Sequence, residues 1–331
     1  MNANPAIRNA FTVDVEDYFH VTAFAKTVSP RHWNQYESRV VGNTHRILAL
    51  LDEFQVRGTF FVLGWVARHH PDLVRDIQKA GHEIGCHSFW HRLIYEMAPE
   101  EFRSDLIEAK DTIEQITGEP ITAFRAPSFS ITQSSLWALA ILYEEGIRFD
   151  SSIYPVMHDR YGIPGAQRVL HRLETPAGTL WQFPPAVFSA GPLKMAVGGG
   201  GYFRLYPIRA TKMCLTRINR TAQPFMFYVH PWEIDPAQPT LPGTRINRFR
   251  HYVNLAQTEA KLRRMLARFS FGSMSDAISE QASRDSAAPI PAVGVDECRM
   301  NLIRLPMPTD KTRSLVSAHL AGWSDSRIAE F

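Results

Sequence analysis

The chain has 331 residues, 45% hydrophobic and 21% charged, with a formal net charge of +3. This composition suits a globular protein with a sizeable core, and Lys and Arg scattered among Asp and Glu exclude the basic footprint of a nucleic-acid binder. No run of 18 uncharged apolar residues occurs and the opening MNANPAIRNAFTVDVEDYF lacks an apolar leader core, so the expectation is a cytoplasmic protein without a transmembrane segment, acting at the inner face of the membrane if its substrate is carried there. Cys86, Cys214 and Cys298 are widely spaced and form no CxxC pair, which argues against a disulfide framework or a thiolate zinc site.

In chain order, the first 150 residues alternate short apolar runs with amphipathic stretches, the pattern of a parallel α/β sheet built through helical crossovers. Strands are expected at residues 10–15, 58–63, 83–86, 123–125 and 148–150, and helices at about 44–54, 71–80, 99–117 and 133–145. In the third helix Phe102, Leu106, Ala109, Ile113 and Ile116 recur at three- and four-residue steps and Gly118 follows as a C-terminal stop. Residues 155–206 turn to Pro, Gly and aromatics, predicting hairpins and loops, with Gly198–Gly201 read as a flexible loop and not a phosphate cradle. A helix at 208–219, a strand at 225–229 and a long helix at 248–269 follow. Periodicity fades after Met274, so residues 1–279 are expected to form one catalytic domain with a helical extension over about 235–279, and residues 280–331 a disordered or loosely attached tail.

The expected strands end in polar residues of catalytic type. The first ends in Asp14, Glu16 and Asp17, the third runs into His87 and His91, the fourth ends at Arg125, the fifth at Asp150 and the last at His230. Ligands of parallel sheets bind where strand C-termini meet the following loops. His87 and His91, four residues apart, could face one way on a helical turn, and two neutral imidazoles with one carboxylate leave a divalent ion open positions for water and substrate. That carboxylate is Glu16 or Asp17, the first sharing a strand face with Asp14 and the second free to turn inward if the strand ends early.

The ordered set TVDVEDYFH (12–20), HSFWH (87–91), RAPSF (125–129), FDSSIYP (149–155) and FYVHPWE (227–233) resembles the polysaccharide deacetylase family, the NodB-homology, carbohydrate esterase family 4-like enzymes. With GGGGYFRLYP it is most similar to the subgroup found with exopolysaccharide and exosortase (PEP-CTERM) loci, over about residues 8–275. The resemblance implies an α/β fold of the incomplete (β/α) barrel type with inserted hairpins and loops, and a metal-dependent hydrolase that removes N-acetyl groups from a sugar of an exopolysaccharide or its precursor. It implies Asp14 as general base, His87, His91 and Glu16 or Asp17 as ligands of one divalent ion, with Zn2+ expected, Arg125 orienting the base, His230 as general acid and Asp150 tuning that histidine. DVED stands in place of the family's adjacent aspartate pair, and the fourth motif lacks its usual tryptophan.

Pro127, Ser128, Phe129, Tyr202 and Trp232 are candidates for substrate binding, with core packing the competing role for the aromatics; Phe89 and Trp90 are read as packing residues. Two other functions fit the same residues: a hydrolase of C–N bonds in small cyclic amides, and a catalytically silent carbohydrate-binding component of a polysaccharide assembly complex.

Overall fold

The computed structural model describes residues 7–158, 160–191 and 193–287. From the N-terminus the order is β1 (Asn9–Val15), α1 (Val40–Glu53), β2 (Thr59–Val62), α2 (Gly64–His69), α3 (Pro71–Lys79), β3 (Glu83–Cys86), α4 (Pro99–Thr117), β4 (Ala123–Phe124), α5 (Ala138–Glu144) and β5 (Phe149–Asp150). There follow β6 (His171–Glu174), β7 (Thr179–Gln182), β8 (Val187–Ala190), β9 (Leu193–Ala196), α6 (Gly200–Leu205), α7 (Ile208–Asn219), β10 (Met226–Val229), α8 (Arg245–Tyr252), α9 (Leu255–Leu266), β11 (Phe271–Gly272) and α10 (Met274–Ala287). Among these, no helix is long and apolar enough to cross a membrane.

The main sheet runs β10-β1-β2-β3-β4-β5-β7-β6, with β11 also paired to the start of β1. All pairings are parallel except the β6–β7 hairpin. After β7 the chain returns to the opposite edge, where Pro185 and Gly199 bridge Met226 and Tyr228 of β10. The sheet is therefore a curled half-barrel closed by an irregular segment, the expected incomplete (β/α) barrel. Central strand β1 is buried at every residue, because one face meets the barrel interior and the other the helices. Its one polar start, Asn9, is fully hydrogen-bonded: the amide donates to the carbonyls of Ile7 and Ser270, and the side-chain oxygen accepts from Phe225 N and the Asn219 amide.

Most expected elements form, with informative departures. In α4 Phe102, Leu106, Ala109 and Ile113 are buried, and Gly118 closes the helix at φ 72° with its N–H on the Glu114 carbonyl. Helix α1 begins four residues earlier than its hydrophobic pattern, because its first amides are capped from a distant strand end, as described below. The stretch expected as one helix at 133–145 opens with a 3-10 turn at Gln133–Ser135 before α5. The long helix expected at 248–269 is two, broken where Asn254 takes φ 54°. The carbonyls of Arg250, His251 and Val253 at this break accept from the buried Arg204 guanidinium. Beyond Met274 the chain continues as α10, which crosses the boundary expected at residue 280; residues 288–331 of the expected tail lie outside those described.

The glycine run is not a flexible loop. Tyr228 N donates to the Gly198 carbonyl, and a Cβ on Gly199 (φ 139°) would stand 1.9 Å from the Tyr228 carbonyl oxygen. The backbone of residues 198–200 lies against β10 at a distance only glycine permits. Gly199→Ala is accordingly expected to destabilise the protein by about 2–4 kcal/mol, combining backbone strain with overpacking. Urea unfolding monitored by tryptophan fluorescence measures it.

Candidate active site

Strand β1 delivers its last side chains to the rim where β3, β4 and β10 also end. Ligand atoms of Glu16, His87 and His91 lie within 4.8 Å of one another, all three residues buried. His87 Nδ1 sits 2.7 Å from the Arg125 carbonyl, which can only accept, so Nδ1 carries the proton and Nε2 keeps its lone pair. Burial lowers the His87 pKa to about 4, favouring the neutral, ligating form. His91 Nε2 stands 2.6 Å from Glu16 Oε2, yet that oxygen is buried without a hydrogen-bond donor. The other carboxylate oxygen accepts from Trp232 Nε1 at 3.1 Å. Burial opposes the Glu16 charge, but His91, His230 and His87 hold its carboxyl well below the usual range. Two imidazoles and an orphaned carboxylate oxygen converging in one buried spot suit a divalent cation with positions left open.

The two histidines do not share a helical turn. Ser88 and His91 adopt positive φ (68° and 52°), and Asp105 of α4 grips the loop between them, accepting from Ser88 Oγ, Phe89 N and Trp90 N. Strained backbone held by a buried carboxylate aims both rings inward.

Beside this cluster Asp14 Oδ1 accepts from Arg125 Nη1 at 2.5 Å. Arg125 is fully buried, and its other arm reaches Ser151 Oγ and Met226 Sδ while its plane covers the Phe61 ring. Asp14 Oδ2 faces His230 Nε2 at 3.7 Å, and Glu16 Oε1 lies at the same distance from that nitrogen. On the far side of the ring, His230 Nδ1 pairs with Glu233 Oε2 at 3.1 Å, and Glu233 Oε1 accepts from Arg204 Nε at 2.7 Å. Burial alone would lower the His230 pKa; Glu233, then Glu16 and Asp14, outweigh it and raise it to about 9. Burial also opposes the Glu233 charge, but Arg204 and His230 bring its pKa to about 2.

Three expectations are corrected. Asp150 does not orient His230: its carboxylate accepts from the Ser152 hydroxyl and amide, and burial pushes it up to about 6. Glu233 holds that place. Its signal lay in the sequence, three residues beyond the histidine in HPWE, and Arg204 lay in FRLYP, but nothing local paired them. Asp17 is likewise not with the imidazoles. Its oxygens accept from Tyr18 N, Ser38 Oγ, Arg39 N and Val40 N, capping α1, while burial raises its pKa to about 6 against those bonds. Tyr202 and Trp232 do not wall a sugar groove: Tyr202 packs beside Tyr206, and the buried Trp232 stacks between His230 and His251 while bracing Glu16.

A groove of about 680 Å³ adjoins His91, lined among others by Thr22, Lys26, Trp33, Trp90, Tyr95 and Arg160. Trp90, read as packing, is 36% exposed there, whereas Phe89 is fully buried. Pro127, Ser128 and Phe129 form a turn after β4. Ser128 Oγ bonds Thr22 Oγ1, which reaches towards His91 Nδ1, so the turn backs His91. The Phe129 ring is buried among Tyr154, Tyr161 and Tyr228.

Residues 33–143 match the polysaccharide deacetylase family, and residues 151–279 match a domain of unknown function, DUF3473. Among curated relatives, a peptidoglycan-N-acetylglucosamine deacetylase of Bacillus cereus is 33% identical over 84 residues, 25% of this chain and 39% of that protein. The peptidoglycan-N-acetylmuramic acid deacetylase PdaA of Bacillus subtilis is 30% identical over 102 residues, 31% and 38% of the two chains, and a chitooligosaccharide deacetylase of Azorhizobium caulinodans is 34% identical over 85 residues, 25% and 40%. The matched region thus spans about two fifths of these relatives. A crystal structure from Mycobacterium smegmatis described as a polysaccharide deacetylase superposes with TM-score 0.54 at 18% identity, covering 88% of this chain and 96% of that one; the Puue allantoinase gives 0.53 at 13% with the same coverage. At such identities the likeness speaks for the fold alone. The family match covers about a third of this chain, and the curated relatives resemble it over a quarter to a third.

Glu16→Gln is expected to reduce bound divalent metal in elemental analysis of the purified protein. Asp17→Ala is expected to leave it unchanged while lowering stability by about 1–3 kcal/mol in urea, because buried amides of α1 lose their acceptor.

Proposed function

We propose that the protein is a metal-dependent N-deacetylase acting on an N-acetylated sugar of an exopolysaccharide or its precursor, with Zn2+ as the expected ion held by Glu16, His87 and His91. The observation that carries the reading is the convergence of those three side chains beside an Arg-held Asp14 and a His230 backed by Glu233. The family match and the deacetylases among the relatives support the reaction; the second match, over residues 151–279, spans both GGGGYFRLYP and HPWE.

An N-acetyl amide resists hydrolysis because water is a poor nucleophile and the amine a poor leaving group. When bound, a divalent ion supplies Lewis acidity for the carbonyl and the attacking water. Asp14 takes the proton of that water, with Arg125 fixing one carboxylate oxygen so that the other faces the reaction centre. His230 stands across from it, protonated at neutral pH, and gives its proton to the departing nitrogen. Glu233 fixes the ring through Nδ1, leaving the Nε2 proton directed into the site. Action at the cytoplasmic face is part of the same proposal, and subcellular fractionation checks it.

Asp14→Asn is expected to lower acetate release from N-acetylhexosamine oligomers at least about 100-fold with metal content preserved. Unchanged turnover would remove Asp14 from the mechanism. Glu233→Gln is expected to impair kcat on these amides by more than about tenfold while sparing an aryl acetate, whose leaving group needs no proton. Equal losses on both substrates would reduce Glu233 to a packing residue.

A further inference from the structure

The large apolar side chains with the greatest fractional exposure among the described residues are Met157 (86%), Ile246 (64%) and Phe249 (60%). Two are on α8, and Met157 stands three residues before Arg160, which donates to Asn247 Oδ1 of α8 at 2.9 Å. Helix α8 turns Asn247 and His251 inward: Asn247 donates to the Ala23 carbonyl, and His251 is buried against Trp232. Helical geometry then sets Phe249 and Arg245 on the outward face with Ile246 and Arg248 at its flanks. Residues 236–258 contain no Asp or Glu. Thr244 and Asn247 form a wall of the groove that reaches His91, whose charged borders are Lys26, Arg92 and Arg160 with one acid, Glu96.

We infer that this rim docks on an anionic lipid bilayer. Single exposed apolar residues are ordinary, but Ile246 and Phe249 together on an arginine-bearing helix, within a stretch of chain that carries no acid, match a surface with negative headgroups over hydrocarbon. Phe249 and Ile246 enter the headgroup boundary, while Arg245 and Arg248 stay at phosphate level. A helix of this length gives weak, reversible attachment. It holds the mouth of the groove at the membrane, where a lipid-carried glycan would present its sugar. The docking does not depend on the deacetylase reading.

The test is sedimentation of the full chain with vesicles of equal parts phosphatidylglycerol and phosphatidylcholine. Binding is expected, with little to phosphatidylcholine alone and release by high salt. The double variant Ile246→Ser/Phe249→Ser is expected to bind at least about tenfold more weakly, and Arg245→Gln/Arg248→Gln about tenfold more weakly. Lys212→Gln/Arg217→Gln, which removes the same charge from α7, should bind as the parent does. Equal binding by the Ile246/Phe249 variant overturns the proposal, as does a self-association seen by analytical ultracentrifugation and lost in that variant, which makes the rim a contact between copies. Acetate release from a soluble oligosaccharide should be the same in all these variants, so a failure of docking is distinguishable from a failure of the proposed chemistry.

Discussion

Three carboxylates at the end of one buried strand, Asp14, Glu16 and Asp17, must each find a counterpart, and the site is the solution to that constraint. A buried charge without a partner is costly enough that neighbouring carboxylates cannot simply coexist. Asp14 takes the guanidinium of Arg125, Asp17 takes the free amides at the start of α1, and Glu16 is left with imidazoles and one oxygen that no donor satisfies. That residual oxygen is where a cation fits. The division of labour follows from strand geometry: the two even-numbered acids share a face towards the barrel mouth, while the odd one turns back to the helix.

A second buried arginine organises the opposite wall. Arg204 pairs with Glu233, which fixes His230, and its remaining donors take carbonyls at the break between α8 and α9. The residue that secures His230 through Glu233 thus also takes the carbonyls that end the helix bordering the groove. Buried ion pairs of this kind contribute little net stability compared with well-packed apolar side chains of similar volume. Their value here is geometric, since they fix two rings and two carboxylates that would otherwise repel or rotate.

Much of the fold was legible in the sequence because β1, α4 and β10 carry strong periodic or continuous apolar patterns with their own stop signals. The early start of α1 was not, since its cap is Asp17, a residue distant along the chain. The break at Asn254 was hidden for the same reason: the arginine that takes those carbonyls is on α6. The glycine run was misread because composition reports freedom, whereas close approach to β10 demands glycine for the opposite purpose.

The sequence by itself determined which residues gather at the rim: Asp14 lies near the end of a strand, the His87/His91 pair, Arg125 and His230 come after one, and parallel strands in a curled sheet bring their C-terminal ends together. Only the tertiary structure decided which acid does what. The choice of Glu16 over Asp17, and of Glu233 over Asp150, depends on desolvation and on partners far away in the chain. Those energies are set by what each carboxylate is buried against, and local sequence does not contain that information.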